Sequence, residues 1–310
     1  MRGPLFYSKI LLFGEYGIIK NSKGLSIPFN YYKGSLKTSR QELNKYQIKS
    51  NKSIRKFLKF LRSIDLKIVD FEWNKIDADI ENNIYFDSSI PQGYGIGSSG
   101  ALVAALYERY AKDKIIVSEK LTNETLQRLK IIFSKMESFF HGRSSGLDPL
   151  SSYLSSPILI DSSKNIELIS FPSNNIYGNG AVFLIDSGNS GNTESMVNLF
   201  FKMIKNESFK KMIKDEFINI TNQCVDDFLE KNYNNLFLNI KNLSKIVFNN
   251  FNSMIPERHK DIWLEGINSN SYFLKLCGSG GGGYFLGFTQ NWTEVQIKLS
   301  DYDLKEVYRF

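Results

Sequence analysis

Five of the six residues 278–283 are glycine, and the run stands between two apolar segments, Phe273-Leu274-Lys275-Leu276 and residues 284–288. A flexible tether would be flanked by polar residues. This run is read instead as a tight backbone approach between two strands, either to another chain segment or to a phosphate. Residues 292–299 then read as a helix, so the end of the chain is strand, glycine loop, strand, helix. Cys277, at the edge of the loop, reads as a small buried hydrophobe.

A second glycine-rich place is Pro91-Gln92-Gly93-Tyr94-Gly95-Ile96-Gly97-Ser98-Ser99-Gly100-Ala101. An extended segment, residues 83–90, precedes it, and a helical pattern of small residues, 101–111, follows. Glycines let backbone N–H groups approach an anion, and a helix N-terminus adds unpaired donors and partial positive charge. Ser98 and Ser99 fall at the helix start, where a hydroxyl can cap the helix or hold a metal ion. The plainer alternative is a strand–turn–helix corner with a serine cap. Gly95-x-Gly97-x-x-Gly100 also has the dinucleotide-binding spacing, but it does not follow the first strand, so a nicotinamide or flavin site is disfavoured.

The third place is Glu137-Ser138-Phe139-Phe140-His141-Gly142-Arg143-Ser144-Ser145-Gly146-Leu147-Asp148-Pro149. Residues 122–140 read as an amphipathic helix with Thr122 as its N-cap. Glu137 lies near the end of that helix, and Asp148 lies past a glycine turn. Two carboxylates can therefore converge from different elements, one holding a divalent ion and the other taking a proton. A solvated helix end and an Asp-Pro turn would explain the same residues. His141, four residues from Glu137, reads as a structural partner.

Elsewhere, residues 9–15 and 181–186 read as buried strands, 50–64 as a helix with Ile54, Phe57, Leu58 and Leu61 on one face, and 193–251 as mostly helical. The fold class is α+β in two parts, divided between 172 and 173. The 310 residues suit about two domains. At 42% hydrophobic and 23% charged, the chain can build a sizeable core. Two cysteines, Cys224 and Cys277, and two histidines allow neither a disulfide framework nor a four-cysteine zinc site. No apolar run approaches the roughly 20 residues of a membrane span. No apolar signal core precedes Ser8-Lys9, so a cytoplasmic protein with no membrane partner is expected. The net charge of +7 is spread over scattered lysines such as Lys202, Lys205, Lys210, Lys211 and Lys214. That is a solvated surface, and no nucleic-acid partner is expected. The common phosphate-loop pattern, the protein-kinase loops and an HExxH helix are absent.

Taken in order, these pieces resemble the small-molecule kinases named for galactose, homoserine, mevalonate and phosphomevalonate, the GHMP kinases. Lys9-Ile10-Leu11-Leu12-Phe13-Gly14-Glu15-Tyr16 resembles their first motif. Residues 91–101 resemble the second, P-x-x-x-G-L-G-S-S-A-A, and residues 275–284 the third, K-L-x-G-x-G-G-G-G. Within the group, residues 137–148 resemble most the E-x-x-x-H-G-x-P-S-G-x-D of the mevalonate kinases, and Thr193-Glu194-Ser195-Met196-Val197 their T-K-x-L-V. Among the departures from the pattern are Tyr16 for histidine, Ile96 for leucine, Gly100 for alanine and Ser144 for proline.

The resemblance implies a two-domain fold. Residues 1–172 would form an ATP- and Mg²⁺-binding half like ribosomal protein S5 domain 2, and 173–310 an α+β sandwich. It implies ATP and Mg²⁺ as cofactors and phosphorylation of the primary hydroxyl of mevalonate by a monomer or homodimer. Gly93, Gly95, Gly97, Ser98, Ser99 and Gly100 would cradle the phosphates, and Ser99 and Glu137 would hold Mg²⁺. Asp148 would be the base, with Lys9 beside it stabilising the transferring charge. Tyr16, Thr193 and Gly280 would line the substrate side. Phosphomevalonate kinase, another sugar or alcohol kinase, and a catalytically inactive ATP-binding regulator are the alternatives.

Overall fold

A computed structural model describes residues 4–64, 69–117 and 121–310. Residues 1–3, on which the expectation of no signal core partly rests, lie outside the described residues.

In chain order the elements begin with β1 (Phe6–Phe13), β2 (Gly24–Lys37), α1 (Lys45–Ser63), α2 (Trp73–Glu81) and β3 (Tyr85–Ser88). Then come α3 (Ser98–Tyr110), α4 (Asn123–His141), α5 (Leu147–Leu154), β4 (Ile158–Ile160), β5 (Ile166–Leu168) and β6 (Ala181–Asp186). The chain continues through α6 (Thr193–Met203), α7 (Glu207–Met212), α8 (Ile218–Leu229), α9 (Tyr233–Asn250) and α10 (Lys260–Ser269). It closes with β7 (Phe273–Leu276), β8 (Tyr284–Thr289), α11 (Trp292–Lys298) and β9 (Leu304–Arg309).

These elements form two compact units. The first comprises the described residues of 1–9, 28–91 and 97–156, and the second 10–27, 92–96 and 157–310. The expected halves divide the sequence once, whereas these units are divisions by packing, so the chain enters the second unit three times.

In the first unit, Gly34–Lys37 of β2 pairs antiparallel with β3. The expected face of α1 is buried through Ile54, Phe57, Leu58 and Leu61. α4 begins as expected, with the Thr122 side chain accepting from the Thr125 N–H, and buries Leu129, Ile132, Phe133 and Met136. α3 is buried along nearly its whole length, from Gly100 to Tyr107. Its small residues let α4 and α5 pack close, and Tyr107 meets Phe133 and Tyr153 edge-on at 5.1 and 5.2 Å.

In the second unit, β7-β8-β6-β9 form an antiparallel sheet. β6 lies between β8 and β9, and both its faces are buried from Ala181 to Ile185, which explains its unbroken apolar run. β4 bridges Gly24–Ser26 of β2 and β5. Phe13 packs between Phe228 and Phe288, at 6.2 and 5.4 Å. Among the described residues, no helix is long and apolar enough to cross a membrane.

Candidate active site

The first unit brings four of the expected residues together. Lys9, on β1, is buried to 4% side-chain exposure, and its Nζ lies 2.9 Å from Oδ1 of Asp148, whose side chain is 36% exposed. Asp148 stands in the first turn of α5, followed by Pro149. The expected Asp-Pro turn is therefore a helix start, where proline lacks no needed N–H and a carboxylate favours the helix dipole.

Ser99 Oγ donates to Glu137 Oε1 at 2.9 Å and lies 3.0 Å from His141 Nε2. Ser144 Oγ donates to Glu137 Oε2, and Ser134 Oγ holds the Ser144 carbonyl at 2.6 Å. Both carboxylate oxygens of a fully buried glutamate are thus engaged. Burial, and then the Asp148 charge, push the Glu137 carboxyl up to about 8, while Ser144, Ser99 and Lys9 pull it down. The serine cap is corrected: α3 starts from Gly97 in a left-handed conformation without a side-chain cap. Ser98 Oγ lies 3.5 Å from the Ile90 carbonyl, and Ser99 turns to Glu137 instead. His141 and Ser144 are site neighbours beyond the residues that the sequence singles out. The Glu137-x-x-x-His141 spacing was the signal for His141, because α4 does extend to His141. Nothing in the spacing aimed Ser144 at Glu137.

Among the described residues, no group of three or more histidine, cysteine, aspartate or glutamate side chains could hold a metal ion. The Ser99–Glu137 pair offers two hard oxygens. This suits a magnesium ion that keeps water and phosphate oxygens as its other ligands. A carboxyl costly to ionise alone is also one that a divalent cation would favour in its charged form.

Gly97, Ser98 and Gly100 also lie in the first unit, and the second unit holds Tyr16, Gly93, Gly95, Thr193 and Gly280. The hydroxyl of Tyr16 donates to the Ser279 carbonyl at 2.6 Å, and Ser279 Oγ lies 3.4 Å from Thr193 Oγ1. Gly280 follows directly, and Thr193 is the first residue of α6. Tyr16 is buried and stacks on Phe200 and Phe251 at 4.6 and 5.9 Å. Its backbone is at φ 60°, ψ −35°, and the Gly17 N–H reaches the Glu15 carbonyl at 2.6 Å. That is a γ-turn of positive φ, costing a non-glycine residue on the order of 1–3 kcal/mol.

Gly93 and Gly95 lie in this unit against the last glycine loop. The Gly191 N–H donates to the Gly93 carbonyl at 2.7 Å. A Cβ on Gly95 (φ 77°) would fall 2.0 Å from the Cys277 carbonyl oxygen. The two glycine runs are therefore glycine-rich partly because their backbones touch. Beside them Lys275 Nζ contacts Glu15 Oε1 at 2.6 Å, with side-chain exposures of 4% and 7%. The sequence alone points to no role for either residue.

Residues 53–156 match the family model described as the GHMP kinases N terminal domain. The chain's fold is shared with L. major mevalonate kinase in complex with R-mevalonate, at 16% identity, covering 96% of this chain and 91% of that one, TM-score 0.61. It is shared equally with Lactococcus lactis galactokinase complexed with galactose, at 12% identity, covering 98% and 92%, TM-score 0.64. Streptococcus pneumoniae phosphomevalonate kinase, in complex with phosphomevalonate and AMPPNP, matches at 11% identity over 98% and 99%, TM-score 0.59. No curated protein matches the sequence.

Proposed function

We propose that the chain transfers the γ-phosphoryl group of ATP to the primary hydroxyl of mevalonate, in the cytoplasm. The observation that carries this reading is the Lys9–Asp148 pair, a buried cation on a partly open carboxylate, whose charges both act on the Glu137 carboxyl that Ser99 bonds. Phosphoryl transfer needs positioning and charge neutralisation more than covalent chemistry. A buried cation, a base and a hard-oxygen pair supply those needs.

In this reading Asp148 accepts the proton of the attacking hydroxyl. Lys9 holds Asp148 in place and stabilises the charge on the transferring group. The N-terminal N–H groups of α3, with the loop before it, bind phosphate oxygens. Mg²⁺, when bound, supplies neutralisation of the β- and γ-phosphate charge, and Ser99 and Glu137 are the residues that would hold it. Tyr16, Thr193 and Gly280 line the substrate side. The choice of mevalonate over other alcohols rests on the resemblance of residues 137–148 and 193–197.

The test is to incubate the chain with ATP, Mg²⁺ and, separately, mevalonate, phosphomevalonate, homoserine and galactose, and to measure ADP. Release with mevalonate alone supports the reading, and release with another alcohol assigns a sibling kinase. ATP binding by calorimetry with no ADP from any alcohol makes the chain an inactive regulator.

A further inference from the structure

Two side chains deep in the second unit have no part in the mechanism above. Glu15 and Lys275 are both buried, and Lys275 Nζ is bonded to Glu15 Oε1 at 2.6 Å and to the Leu276 carbonyl at 2.8 Å, with the Leu11 carbonyl at 3.5 Å. One ammonium group thus ties the strand before Tyr16 to the strand before the last glycine loop. A buried ion pair is weak evidence of a stabilising role, since an apolar pair of similar volume often serves stability as well. Its placement needs another reason.

The next residue supplies it. Tyr16 is the centre of the positive-φ γ-turn closed by Gly17 N–H and the Glu15 carbonyl. The same turn recurs at Gly142 (φ 67°, ψ −48°), closed by Arg143 N–H on the His141 carbonyl at 2.6 Å. There glycine adopts it without strain. A tyrosine stays in such a turn only if its surroundings hold it. Two contacts hold it directly, the Phe200 and Phe251 rings on its own ring and its hydroxyl on the Ser279 carbonyl, and the Lys275 pair fixes Glu15, the residue before it. Ser279 in turn meets Thr193.

We propose that Glu15 and Lys275 are a positioning pair that locks Tyr16 in its turn and, through the Tyr16 hydroxyl and Ser279, sets the 278–283 loop and Thr193 for the alcohol substrate. The proposal rests on the kinase reading above. The pair acts through Tyr16, and its effect falls on the alcohol rather than on ATP.

The experiment measures KM for ATP and for the alcohol turned over in the panel, together with melting temperature, in Lys275→Met, Glu15→Gln, the double variant and Tyr16→Phe. Each single variant is expected to raise the alcohol KM about tenfold, with the ATP KM within about twofold. The double variant removes both charges, so its melting temperature should recover while its alcohol KM stays high and non-additive. Tyr16→Phe deletes one hydroxyl, folds, and should show the same KM change. An alcohol KM that recovers with the melting temperature, or that stays at the wild-type value in Tyr16→Phe, overturns the proposal. An unmodified chain that turns over no alcohol overturns the kinase reading beneath it.

Discussion

A methyl group on Gly100 would lie 2.6 Å from the carbonyl carbon of Asp148 and 2.7 Å from Pro149 N. The missing side chain lets α3 press its first turn against the first turn of α5, and that contact seats Asp148. The resembled motif carries alanine here. Gly100→Ala should therefore push α5 away, lowering kcat by about tenfold and costing about 1–3 kcal/mol of stability, as over-packing does. Steady-state kinetics and thermal melts check it. Wild-type values for both would show that α5 does not depend on this contact.

Asp148→Asn keeps the shape of the side chain but cannot take a proton. Turnover should fall about 10²–10⁴-fold, with folding and ATP binding kept. Lys9→Met should cost about 2–4 kcal/mol of barrier, the scale of one lost oxyanion donor. Rapid-quench rates and ATP calorimetry separate the two effects. Near-normal turnover in the asparagine variant removes Asp148 from the mechanism. A Lys9→Met variant that loses stability and no rate makes Lys9 structural.

Ser99→Ala and Glu137→Gln each remove one of the paired oxygens expected to face Mg²⁺. Both should raise the Mg²⁺ concentration needed for half-maximal rate, the glutamine variant more, because it removes the charge. An Mg²⁺ titration superimposing on the wild type would place the metal elsewhere.

His259 offers a pH test on a residue with no part in the proposed reaction. It is 3% exposed, Nδ1 has no hydrogen-bond partner among the described residues, and the ring meets Phe285 edge-on at 5.2 Å. Burial, and then the Arg258 charge, lower its pKa below the ordinary 6.5. The folded protein therefore binds this proton less readily than the unfolded chain. Its contribution to stability is complete above pH 6.5 and is lost as pH falls from there through the folded value. Melting temperature should drop between pH 7 and 5, and His259→Phe should flatten that drop. Parallel curves for the two proteins would leave His259 without this role.

Much of the fold could be read along the chain because periodicity and punctuation are local. The spacing of Ile54, Phe57, Leu58 and Leu61 gives α1, Thr122 opens α4, and residues 181–186 are β6 without a shift. β2 was missed because Pro28 and Gly34 interrupt its apolar pattern. β9 was missed because it is an edge strand bearing Lys305, Glu306 and Arg309, with one buried residue, Tyr308.

The residue types of the site, and their order in the chain, belong to the sequence by itself. Lysine, serine and two carboxylates beside glycine turns are chemical facts before any folding. Which of them touch was decided only in three dimensions. Ser144 reaching Glu137, Gly100 yielding to Asp148, and Lys275 bonding Glu15 across 260 residues depend on how the elements pack. Distance along a chain carries no information about distance through a core.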